Sequence, residues 1–73
     1  MVVGRPTYTA LASRDGRWWL IRVPGLGHNP EDGIYTQARK LSDIEPMARE
    51  LIALCLEVSQ DSFDVQVELP GRS

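Results

Sequence analysis

The dipeptide Asp15-Gly16 constrains this chain more than any other feature, because it stands between two runs of strand-forming residues. A two-residue hairpin turn needs backbone angles that Gly and Asp tolerate and β-branched residues do not, so Asp-Gly in this setting is the strongest short-range hairpin signal. Thr7 to Arg14 alternates loosely, and Arg17 to Val23 is rich in aromatic and β-branched side chains. With Asp15 and Gly16 as the loop, Arg14 faces Arg17, Ser13 faces Trp18, Ala12 faces Trp19 and Ala10 faces Ile21. One side of the hairpin then carries Tyr8, Ala10, Ala12, Trp19, Ile21 and Val23, in which small alanines leave room beside a large indole. The other side carries Thr9, Leu11, Ser13, Trp18, Leu20 and Arg22. A four-residue loop keeps this parity, whereas a three-residue loop swaps the faces.

Pro24 to Gly33 holds two prolines and three of the six glycines and reads as loop. Ile34 to Arg39 follows as a short third strand, with Ile34, Thr36 and Ala38 turned one way and Tyr35 and Gln37 the other. Ser42-Asp43-Ile44-Glu45 has the form of a capping box and predicts a helix start, with Pro46 in a first turn that can spare its amide. Ile44, Met47, Ala48, Leu51, Ile52, Cys55 and Val58 recur at the spacing of one apolar helical stripe. Residues 59–62 are polar and end that run, and Phe63, Val65, Val67 and Leu69 then alternate with Asp64, Gln66 and Glu68, as a strand with one wet face does. The expected fold is therefore α+β: β-β-β-α-β, one helix lying on one face of a three- to four-stranded antiparallel or mixed sheet. It forms a single domain over residues 1–73, with its core at about 7–69 and frayed ends.

Seventy-three residues leave little room for an internal active site, since a chain near this size buries only about 60% of the surface its unfolded form exposes. Ten acids against eight bases give a net charge of −2, and the bases are scattered, which disfavours direct nucleic-acid binding by this chain alone. Only Arg14 and Arg17 form a local basic pair. The single cysteine, Cys55, cannot make an internal disulfide, and its place on the stripe predicts a buried thiol. The start of the chain, Met1 to Pro6, has no long apolar run behind a basic segment, so the expected location is the cytoplasm, with no membrane anchor.

The isolated candidates for chemistry each have a plainer reading. His28, with Glu31 and Asp32 nearby, lacks the convergent ligands of a metal site or the oriented partner of a general base, and is expected to be a solvated loop histidine. Gly25-Leu26-Gly27 does not sit between a strand and a helix N-terminus, where phosphate cradles occur. No catalytic residue, cofactor or metal is expected. The feature that outweighs its plain reading is the far face of the sheet, where Trp18, Leu11, Leu20 and Tyr35 would form a connected apolar patch away from the helix; monomers seldom leave such a patch bare.

Tyr8-Thr9-Ala10, Arg14-Asp15-Gly16-Arg17-Trp18-Trp19, Val23-Pro24-Gly25-Leu26, Gly33-Ile34-Tyr35-Thr36-Gln37-Ala38 and the opening Leu41-Ser42-Asp43-Ile44-Glu45 follow one another in an order and spacing that resembles the N-terminal domain of HicB-family antitoxins. The likeness runs from about Tyr8 to Leu69. It implies a partial ribonuclease H-like fold without catalytic carboxylates, which binds a small HicA-type ribonuclease toxin, blocks its active site and self-associates as a dimer or larger homo-oligomer. Members often add a C-terminal DNA-binding segment, which these residues do not include, and the Gly27 to Gly33 loop looks longer than the family's turn. The expected function is a non-enzymatic antitoxin-like module that contacts its partner through Leu11, Trp18, Leu20, Arg22, Tyr35 and Gln37. The rival from another class is a stand-alone oligomerisation or small-molecule-sensing domain without a toxin partner. An enzyme comes third.

Overall fold

The computed structural model describes residues 4–29 and 31–70. The expected frayed ends, residues 1–3 and 71–73, and Pro30 of the loop lie outside them. Four strands, β1 (Thr7–Asp15), β2 (Trp18–Val23), β3 (Ile34–Ala38) and β4 (Asp64–Glu68), form one sheet in the order β3-β2-β1-β4, and a helix, α1 (Ile44–Leu56), joins β3 to β4. The domain is thus α+β with the β-β-β-α-β order the patterning predicts. The sheet is mixed: β1 pairs antiparallel with β2 and β2 with β3, while β4 runs parallel to β1. Parallel neighbours cannot be joined by a tight turn, so the chain leaves one edge strand, crosses the sheet as α1 and returns on the opposite edge.

The hairpin register differs from the expected one by two positions. Asp15 pairs with Trp18, Arg14 with Trp19, Ser13 with Leu20 and Ala12 with Ile21, leaving Gly16 and Arg17 as the loop. Gly16 has φ +63° and no other residue of this turn has positive φ, the pattern of a type II′ turn with Gly at its first central position. A shift of two preserves the alternation, so both faces are as expected. Ala10, Ala12, Ile21 and Val23 are buried beneath α1, and Tyr8 and Trp19 pack partly buried against them. Trp19 is thus on the core side, as the alternation predicts, but only partly enclosed. It sits near the hairpin end, beside Arg14, whose guanidinium carbon lies 5.2 Å from the ring centroid.

The expected apolar stripe is rotated about the helix axis. Ile44, Ala48, Ile52 and Ala53 are buried, and Met47 and Leu56 pack against the core. Cys55 and Val58 are exposed, which corrects the buried thiol. The cause is a charged group on the core side. Arg49 lies between α1 and the β4 entry, donating from Nη1 to the carbonyls of Gln60 (2.6 Å) and Phe63 (2.9 Å) and from Nε to Glu45 Oε2 (2.9 Å). Its guanidinium also covers the ring of Phe63, which is buried and meets Tyr8 edge-on with ring centroids 5.7 Å apart. Turning Arg49 inward turns Leu54, Cys55 and Val58 outward. This arginine and the exposed Arg5, whose Nη2 donates to the same Phe63 carbonyl at 2.7 Å and pairs with Asp64 at 3.0 Å, tie the β4 entry to α1 and to the segment before β1.

The capping box does not form. No side chain caps α1 at Asp43, and Glu45 pairs with Arg49 instead. A 3₁₀ turn, Leu41–Asp43, precedes the helix, and its Asp43 N–H bonds the Lys40 carbonyl at 3.0 Å. Together with the Ile44 N–H bond to the Leu41 carbonyl, that turn satisfies two amides at the helix entry without a side-chain cap. At the other end Glu57 adopts φ 58°, ψ 47°, and the Val58 N–H reaches back to the Ala53 carbonyl at 3.1 Å, a Schellman closure in which a glycine would normally stand.

Candidate protein-docking face

The face of the sheet turned away from α1 is built by strand alternation. Across it, Tyr35, Arg22, Leu11 and Glu68 stand side by side on four adjacent strands, a row about 14 Å wide at the usual strand spacing. The next row carries Gln37, Leu20 and Ser13, and the third carries Trp18 with Asp15. All six residues expected to contact a partner, Leu11, Trp18, Leu20, Arg22, Tyr35 and Gln37, are therefore on one face, within three consecutive rows. Trp19 and α1 lie on the other.

Leu11, Leu20, Arg22 and Tyr35 line a shallow groove, closed along the β4 side by Glu68, Leu69 and Pro70. Trp18 is 38% exposed and Tyr35 50%. The Trp18 indole is held rather than free, because the Arg39 guanidinium carbon stacks 5.1 Å from its ring centroid. A rotationally restrained aromatic loses less side-chain entropy on binding, which suits it as an anchor. Arg22 keeps one long hydrogen bond, Nη1 to the Asp32 carbonyl at 3.5 Å. It leaves the middle of the groove positive, one strand from Leu11, with Glu68 one strand to the other side. The surface therefore combines apolar groups with one cation inside the patch and one carboxylate on the edge strand, the kind of mixture protein interfaces carry.

Glu68, Leu69 and Pro70 were not among the expected contact residues. Alternation predicts that Glu68 points to the wet side of its strand, but only the pairing of β4 with β1 puts that side next to Leu11. His28 and Cys55, distant in sequence, border a second groove with Asn29, Asp32, Ile34 and Tyr35, at the start of β3. Neither makes a side-chain hydrogen bond among the described residues, so nothing there orients a thiol toward a base. Among the described residues no group of three or more potential metal ligands converges, and no helix is long and apolar enough to cross a membrane. Comparison of the chain with protein-family models, curated proteins and solved structures finds no significant match.

Proposed function

We propose that this chain is an antitoxin-like protein-binding module of the cytoplasm that neutralises a small HicA-type ribonuclease toxin by covering its active site. The observation that carries the reading is the outer face of the sheet: an uncovered patch of Leu11, Leu20 and Tyr35 with Trp18 at its margin beneath the Arg39 guanidinium, while α1, the one α-helix among the described residues, occupies the opposite face. Burying the aromatic anchors supplies most of the affinity, while Arg22 within the patch and Glu68 at its edge set rate and orientation. The toxin is silenced sterically, so this chain needs no reactive group.

Co-expression with the product of the adjacent gene tests this. The expected result is a complex recovered by pull-down and rescue of growth from the toxin, with both lost in Trp18→Ala combined with Leu20→Asp while the far-UV circular dichroism is unchanged. Full rescue by that folded double variant would refute the docking face, and a neighbouring product that is neither toxic nor bound would refute the antitoxin role.

A further inference from the structure

Among the described residues both outer strands of the sheet leave one edge unpaired, and the two edges are not equivalent. Proteins blunt free edges with charge, proline or bulges, because an open edge recruits further strands. On β4, antiparallel pairing with a copy of itself about Gln66 would set Asp64 against Glu68 twice, and like charges directly opposite repel. On β3, Ile34–Ala38 contains neither charge nor proline.

We propose that β3 pairs antiparallel with β3 of a second copy of this chain, about a two-fold axis through Thr36, joining two sheets edge to edge. In that register Tyr35 stands opposite Gln37 of the second copy on the outer face, and Ile34 opposite its Ala38 beneath the helices. The flanks carry the charge complementarity that selects this occupant. Asp32 falls opposite Lys40, with Glu31 and Arg39 beside them, so an acidic pair before the strand meets a basic pair after it, at both ends of the seam. All four side chains are exposed, and among the described residues none is in an ion pair. A row of apolar helix residues borders the same edge. Cys55 lines the groove that Ile34 and Tyr35 also line, and Met47 and Leu51 continue its row at four-residue spacing, so the second copy would also shield this flank of α1. The pairing leaves the outer face open and extends it across the seam. It does not rest on the toxin-docking reading.

Light scattering on size-separated protein, with circular dichroism as the check on folding, tests the seam. The native chain is expected to have twice the monomer mass. Glu31→Lys with Asp32→Lys makes both ends of the seam basic, and Arg39→Glu with Lys40→Glu makes both acidic. Each pair of changes should raise the dimer dissociation constant by roughly tenfold or more, and an equimolar mixture of the two folded chains should restore the dimer. Leu51→Lys, at a half-buried position whose apolar stem lysine can keep, should weaken the dimer without touching the strand, and it carries the test if a swapped chain unfolds. A native chain that stays monomeric at about 100 µM, swapped chains that dimerise alone as well as mixed, or Leu51→Lys dimers as tight as the native ones would overturn the proposal.

Discussion

The carbonyl of Phe63 receives two arginines, and removing them singly and together gives a sharp energetic expectation. Arg5 Nη2, from the segment before β1, donates to it at 2.7 Å, and Arg49 Nη1, from α1, at 2.9 Å. Arg5→Ala leaves the carbonyl with the other guanidinium and removes a half-exposed pair with Asp64, for a loss of about 0.5–1 kcal/mol. Arg49→Met keeps an apolar stem but loses the bonds to Gln60 and Phe63, the Glu45 pair and the stacking on Phe63. With about 1 kcal/mol for the two backbone bonds after discounting for exposure, about 0.4 for the ion pair and about 0.5–1 for the stacked cation, the loss is about 2–2.5 kcal/mol. Either single variant still has one donor on the Phe63 carbonyl. The double variant has none, so a partly buried acceptor is stripped and the two losses exceed their sum by about 1 kcal/mol. In a domain of this size each kcal/mol moves the midpoint by roughly 4–8 °C, so Arg49→Met should lower Tm by about 10–20 °C. Urea unfolding of the four chains gives the coupling directly. Losses that add to within about 0.3 kcal/mol would show that the two arginines do not share an acceptor.

Three further outcomes follow from single positions. Glu57 holds a left-handed conformation at the helix end, so Glu57→Gly should stabilise the domain by about 1 kcal/mol in urea titration, despite the greater freedom glycine has when unfolded; no gain would mean the closure is not formed. Gly33 has φ +79°, and a Cβ there would meet the Val23 carbonyl oxygen and lie 2.8 Å from the Pro24 Cα, so Gly33→Ala should lower stability by about 2 kcal/mol or more, whereas Gly25→Ala, with open space around it, should lower it by only about 1. Trp19→Ala should reduce stability by about 1.5–3 kcal/mol and leave a folded domain at 25 °C, because the ring is only partly buried; loss of the far-UV signal at that temperature would mean that the indole is fully enclosed.

What the sequence determined by itself was alternation, and alternation has a period of two. It put Ala10, Ala12, Ile21 and Val23 on one side of the hairpin and Leu11, Leu20 and Trp18 on the other, and it did so although the loop is Gly16-Arg17 and not Asp15-Gly16, because a slip of two residues returns every side chain to the same face. The helix had no such protection. An apolar residue every three or four positions fits several neighbouring stripes, and α1 is apolar around most of its second half, so only packing could choose among them. Arg49 decided the matter by turning inward to carbonyls that belong to a segment eleven to fourteen residues further on, which exposed Cys55 and left Leu54 72% exposed. The helix start was open for a similar reason: a 3₁₀ turn and a side-chain cap are alternative entries to a helix, and Glu45 pairs with Arg49 one turn away. The order of strands was likewise a tertiary outcome. Local patterning carries no term for which strand β4 will join, and its parallel pairing with β1 is what brings Glu68 beside Leu11 and leaves the uncharged edge of β3 open.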